Sequence, residues 1–235
     1  MRSNKMFLAF IALAVVFVCV APAFAAEGHE AHQSKSLWAL FRSTGPVGVM
    51  LVMLSIAGTA ISIQYGIEIR EDQIAPPHLI AEVEELIGQG EVEQAQQVAA
   101  ADPSYFGRVM GQSLLHAGTS VEDAIHQMEV TAMEETFKLT SKISYVSLVG
   151  NLGPLVGLLG TVTGMISAFQ VIENLKAPTP KDLAVGVYES LVNTTMGLFV
   201  SIMFLVVFFF FKIKVTKMTL AINNICLDLV RRTAG

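Results

Sequence analysis

The residues of this chain that could do chemistry lie where charge is scarce. Glu189, Ser190, Asn193, Thr194, Gly197 and Ser201 recur at helical spacing, which places them along one side of a helix. Glu189 is the only ionisable residue well inside any stretch long and apolar enough to cross a bilayer. A carboxylate there is costly, so it should face a partner helix or a water-filled cavity. The competing reading is a carboxylate that snorkels at the end of its span, two turns after Asp182. The continuation of the polar stripe through Thr194 and Ser201 favours the functional one. A second set lies in NLGPLVGLLGTVTGMISAF, Asn151 to Phe169, inside an uncharged run from Ile143 to Ile172. Gly150, Gly153, Gly157, Gly160, Thr161, Gly164 and Ser167 recur there at spacings of three or four. In lipid, such a stripe lets another helix approach backbone to backbone, with hydroxyls left for water or interhelical contacts. With no Asp in a span and a single Glu, the chain is poorly equipped to relay a proton alone. It asks for a partner that brings a titrating group.

The elements that must position these residues follow from composition. The chain has 235 residues, 53% hydrophobic and 15% charged, which is the balance of a membrane protein. Residues 1–25 read as a signal peptide: Arg2 and Lys5, an apolar core from Met6 to Val20, and Ala23-Phe24-Ala25 as the cleavage site. Residues 26–42 are a polar leader, whose His29, Glu30 and His32 read as solvated and not as a metal site. Residues 43–67 form the first span, with Trp38 and Tyr65 at its two interfaces. Residues 68–142 are soluble in character, with fourteen acidic and four basic residues. Helices are expected after Pro76-Pro77, over Glu91 to Ala101 and over Tyr105 to His116. A long helix capped by Thr119 or Ser120 should run on without Gly or Pro as far as Val149. Residues 143–172 are the second span, bent or loosened at Pro154. Residues 173–182 are a hinge, 183–211 the third span, and 212–235 a tail helix beginning with Lys212, Lys214 and Lys217.

Orientation has two independent sources. Signal cleavage leaves the mature N-terminus outside the cytoplasm. Placing the large loop and the tail inside puts nine Lys and Arg there against four outside, Lys35, Arg42, Lys176 and Lys181. The expected fold is an all-α membrane protein of three spans with long cytoplasmic helical extensions. Several functions are excluded or disfavoured. Cys19 and Cys226 lie at opposite ends and form neither a disulfide framework nor a metal cluster. The carboxylates of the loop have no Ca²⁺ or Zn²⁺ ligand spacing. No His-Glu-x-x-His or Gly-x-Ser-x-Gly arrangement occurs in a span, so an intramembrane enzyme is disfavoured, and no cofactor is expected. A net charge of −5 gives no reason to expect nucleic acid.

PLVGLLGTVTGMISAF, Pro154 to Phe169, is similar to the hallmark of the proton-channel family that contains ExbB, TolQ and MotA. ESLVNTTMG, Glu189 to Gly197, resembles the matching segment of the third helix in ExbB and TolQ. The resemblance covers about Ile80 to Arg232, and three spans fit ExbB and TolQ better than the four of MotA. It implies a pentamer around a central pore lined by second and third spans, in the bacterial inner membrane. It implies an ExbD-like single-span partner whose intramembrane Asp carries the proton, and a TonB-like protein that receives the motion. Carried over by position, Thr161, Thr194 and Glu189 are the proton-pathway residues. Asn193, Gly197, Ser201, Gly157, Gly160 and Gly164 support that face. The chain departs from the family at Asn193 and Thr195, where small apolar residues are usual, and lacks the Pro common near Met203. A TolQ-like or stator-type motor and a non-conducting scaffold are the alternatives. Extra hydroxyls at Thr163 and Thr195 bring Na⁺ into view, with H⁺ preferred.

Overall fold

The computed structural model describes residues 45–118, 120–175 and 179–233, without the side chains of Asp182, Val185 and Glu189. The expected signal peptide, the leader, Trp38 and Thr119 lie outside the described residues. The described elements are seven helices: α1 (Gly45–Glu68), α2 (Glu71–Ile74), α3 (Pro77–Gly88), α4 (Val92–Ala101), α5 (Tyr105–Ala117), α6 (Val121–Asn174) and α7 (Pro180–Arg232). Three of them, α1, α6 and α7, are long and apolar enough to cross a membrane. The chain divides into two compact units. One takes the segment ending at Ile63 together with Tyr145–Phe208, and the other takes Gln64–Ser144 together with the segment starting at Phe209.

In the first unit α1 buries one face, Val47, Leu51, Gly58 and Ser62. Val47 and Leu51 cluster with Val156, and Met196 packs on them. A methyl group on Gly58 would stand 2.7 Å from the Phe204 ring and 2.8 Å from Val149 Cγ1, so the glycine admits both neighbouring helices. Met50, Met53, Ile56 and Ile63 are exposed on α1, as lipid-facing side chains would be. α6 stays helical through Pro154. The ring removes one backbone donor there, and the closely packed neighbour helix keeps the turn in place.

The second unit is built as a water-soluble domain is. Pro77 starts α3 at the first helical position, where its missing N–H has no partner to lose. Leu79, Val83 and Ile87 form the buried face, as their spacing predicts. Gly90 turns the chain with φ +81°, a conformation that favours glycine. Ser104 caps α5, its Oγ accepting from the Gly107 N–H at 3.1 Å. α5 then lies close on α4: a methyl on Gly107 would be 2.6 Å from the Asp102 carbonyl oxygen. Phe106, Val109 and Met110 are fully buried. Ser120 opens α6, its Oγ accepting from the Glu122 N–H at 3.2 Å. With no Gly or Pro before Gly150, α6 continues for 54 residues. α7 continues for 53, carrying the third-span helix on through the tail.

Two polar groupings tie this unit together. The Tyr105 hydroxyl reaches Asn223 Oδ1 at 2.8 Å, Thr136 Oγ1 at 3.1 Å and the Ala132 carbonyl at 3.3 Å, linking α5, α6 and α7. Burial raises its pKa above the ordinary value, against the effect of those two side-chain bonds. Glu135 receives Arg108 at 3.0 Å and Lys138 at 2.5 Å. Burial pushes its carboxyl up, but hydrogen bonds from Lys138 and Arg108 outweigh burial and hold it below the usual value. Cys226 is enclosed, and burial pushes its thiol up to about 12, which makes it inert.

Candidate intramembrane site

The glycine stripe of α6 and the small, polar stripe of α7 meet each other within one chain. From one end of the seam, a methyl on Gly150 would stand 2.9 Å from Leu205 Cγ. On Gly153 it would stand 2.8 Å from the Gly197 carbonyl oxygen and 3.1 Å from the Ser201 nitrogen. On Gly157 it would meet the Asn193 carbonyl oxygen and Thr194 Cα at 3.1 Å each. On Gly160 it would fall 2.6 Å from Asn193 Cβ. Gly164 seats Ser190, and Gly186 seats against Ala168. At Gly150, Gly153, Gly160, Gly164 and Gly186 the nearest contact is closer than a real Cβ allows, and at Gly157 it is tighter than most, so both stripes need to be small. The companion that the glycines require is α7 of the same chain.

The polar groups divide by their hydrogen bonds. Thr194 Oγ1 donates across the seam to the Gly157 carbonyl at 3.1 Å. Glycine on one helix leaves that carbonyl open to the hydroxyl of the other. Ser190 Oγ donates to Gly186 on its own helix at 2.7 Å. Thr161 Oγ1 donates to the Leu158 carbonyl on its own helix at 2.7 Å, and the residue is half-buried. Thr163 likewise turns back to Leu159 at 2.9 Å. The hydrogens of these hydroxyls are committed to main-chain carbonyls, so toward a third group they present lone pairs. Ser190, Asn193 and Ser201 are buried, and Asn193 Oδ1 has no hydrogen-bond partner. That orphan acceptor lies at a position where the chain departs from the pattern of the family it resembles.

The structure therefore brings together Gly157, Gly160, Gly164, Asn193, Thr194, Gly197 and Ser201 in one seam. Thr161 lies on the same stretch of α6, with its hydroxyl bonded within its own helix and not across the seam. Glu189 is on α7, one helical turn before Asn193, and its side chain lies outside the described residues. The α4–α5 glycine contact and the Tyr105 grouping escaped the sequence reading. Gly107 and Gly111 at a spacing of four were the available signal for the first.

The model of the MotA/TolQ/ExbB proton channel family matches residues 97–224, more than half of the chain and both helices of the seam. The chain belongs to the MotA/TolQ/ExbB proton channel family. It is 31% identical over 177 residues to the ExbB-like 1 biopolymer transport protein of Synechocystis, covering 72% of this chain and 67% of that one. It is 30% identical over 107 residues to the Tol-Pal system protein TolQ of Pseudomonas aeruginosa, 46% of each chain. It is 36% identical over 102 residues to the biopolymer transport protein ExbB of Xanthomonas campestris, 43% of this chain and 39% of that one. The matched part thus spans less than half of these TolQ and ExbB relatives. Membership accounts for the paired stripes: the family is one of membrane channels, and the matched region holds the glycine seam and its hydroxyls.

Proposed function

We propose that this chain is an ExbB-like subunit of a proton-driven motor in the bacterial inner membrane, with its large helical unit cytoplasmic. With an ExbD-like single-span partner it couples the proton motive force to TonB-dependent transport across the outer membrane. Five copies surround a pore lined by α6 and α7, with α1 outside. The partner's intramembrane Asp carries the proton. Thr161 and Thr194 hold water or that carboxyl, and Glu189 serves the periplasmic-side entry or pairs with a neighbouring helix. The observation that carries this reading is the state of the hydroxyls. Their hydrogens are tied to Leu158 and Gly157 carbonyls, so what they offer is acceptors, which suit a protonated carboxyl or water. The chain supplies no spanning Asp of its own. Similarity to TolQ over 107 residues favours a second reading, the same motor with a Tol-type output.

The test is co-purification with the product of the adjacent gene, followed by native mass spectrometry. Five copies with two of a single-span, Asp-bearing partner are expected. A lone oligomer without a partner would support a scaffold instead. The companion test replaces Thr161 and Thr194 together by Val. Energised function should be lost with the assembly intact; full activity would sink the assignment of these two residues.

A further inference from the structure

The second unit contains a cleft of about 200 Å³ lined by Glu71, Ala75, Lys217, Met218, Ala221 and Ile222. That is smaller than the roughly 300–1,000 Å³ of sites for drug-sized ligands and suits a small group. Its walls are mostly apolar, with one anion and one cation. Glu71 and Lys217 are both exposed, and neither closes a salt bridge with the other or with any described residue. Lys214, the next cation back along α7, lies near enough to Glu71 to feel its charge but closes no salt bridge with it. Its Nζ donates to the Ile69 carbonyl at 2.7 Å, which ties the chain just before Glu71 to α7 and leaves the cleft preformed. Arg70 and Asp72 flank Glu71 with opposite signs. A carboxylate and an ammonium that close no salt bridge, over a shared apolar floor, complement a ligand that carries both charges.

Depth selects the source of that ligand. The uncharged part of α7 ends at Phe211, so Lys217 lies about 9 Å further along a helix rising 1.5 Å per residue. Glu71 follows the end of α1 at Glu68 by one short turn. The polar headgroup layer occupies roughly 5–8 Å on each side of the hydrocarbon core. Measured along α7, the cleft therefore lies just beyond that layer, within reach of a headgroup from the adjoining leaflet.

We infer that this cleft binds the headgroup of an ethanolamine phospholipid, with the phosphate at Lys217 and the ammonium at Glu71. The ethanolamine ammonium supplies N–H donors to a carboxylate, which a choline headgroup lacks. A glycerol headgroup lacks the cation altogether. The site is separate from the seam and does not depend on the motor reading.

The experiment uses the full-length protein in nanodiscs containing ethanolamine, choline and glycerol phospholipids in equal parts, with retained lipid counted by native mass spectrometry. The ethanolamine lipid should be retained over both others by about tenfold, the effect of one charge-assisted hydrogen bond. Lys217→Ala should lower retention of ethanolamine and glycerol lipids alike. Glu71→Gln should lower the ethanolamine lipid to the level of the glycerol lipid and leave the latter unchanged. Both positions are exposed and outside the seam, so the variants are expected to fold. Equal retention of the three headgroups, or retention indifferent to both variants, would overturn the inference. Soluble O-phosphoethanolamine, added to delipidated protein, separates the sources. If it binds through Lys217 and Glu71 while no ethanolamine lipid is retained in nanodiscs, the lipid assignment falls.

Discussion

The two units of this chain are held together by opposite means. In the first, helices meet where side chains are absent or small: Gly153 against Gly197, Gly160 against Asn193, Gly164 against Ser190. Among the described residues its buried polar side chains are Ser62, Ser190, Asn193 and Ser201. In the second, Phe106, Val109, Met110 and Val215 fill a core. All of the ion pairs among the described residues lie there, on Glu68, Glu84, Asp228 and Glu135. The solvent explains the difference. Between lipid tails a large apolar side chain gains nothing by leaving its surroundings, so association rests on close backbone approach and hydrogen bonds. In water the same side chain stabilises by burial. The two units should therefore fail under opposite substitutions.

The largest effect is expected from making a large residue small in the second unit. Phe106→Ala removes a fully buried ring and should cost about 3–5 kcal/mol. Hydrogen exchange reads this locally: amides of α5 should lose protection, while those of residues 153–164 should not. Equal loss in both regions would break the comparison. The reverse substitution tests the first unit. Gly157→Leu inserts a side chain where even a methyl meets Thr194 Cα at 3.1 Å, and overpacking of this kind costs about 1–3 kcal/mol. The seam should open and Thr194 should lose its bond to the Gly157 carbonyl. Gly88→Ala is the control, since nothing lies within 4 Å of the added methyl. A seam that tolerates leucine as well as Gly88 tolerates alanine would refute the account of it. Tyr105→Phe should follow, at about 1–2 kcal/mol, because it leaves Asn223 Oδ1 without its donor. Thermal unfolding of the purified protein measures it, and an unchanged midpoint would mean water replaces the hydroxyl.

Much of this contrast is legible in the residues themselves. Spacings of three and four among Gly150 to Gly164 announce a helix that needs a close neighbour, and uncharged runs announce three spans. Leu79, Val83 and Ile87 give the face of α3, and the lack of Gly or Pro between Val121 and Val149 lets α6 run unbroken into the second span. The identity of the neighbour is not legible, because a glycine stripe fits any small-residue helix, from the same chain or another. Only the fold shows that α7 of the same chain fills it. The two threonines have the same residue type and the same family resemblance, yet only Thr194 bonds across the seam. Which carbonyl a hydroxyl finds depends on the rotation of two helices, a quantity that residue type does not encode. The Tyr105 grouping joins residues up to 118 positions apart and has no local signature at all.

The smallest effect expected is the one that separates the units by pH. Glu135 is held below the usual glutamate value, so its unfolded form binds protons more readily than its folded form. Its contribution to stability is full above the unfolded value of about 4.3 and is lost as pH falls below that through the depressed folded value. Arg108 and Lys138 have side chains 47% and 56% exposed, so solvent screens the pairs and the contribution should stay under about 1 kcal/mol. Acidification through this window should reduce protection in α5 and the first half of α6, and Glu135→Gln should remove most of that dependence. The described seam side chains, Ser190, Asn193, Thr194 and Ser201, do not titrate, so protection of residues 153–164 should stay level. A seam that loosens with the same midpoint in the Glu135→Gln variant would place a titrating group within it, and Glu189 would be the residue to replace next.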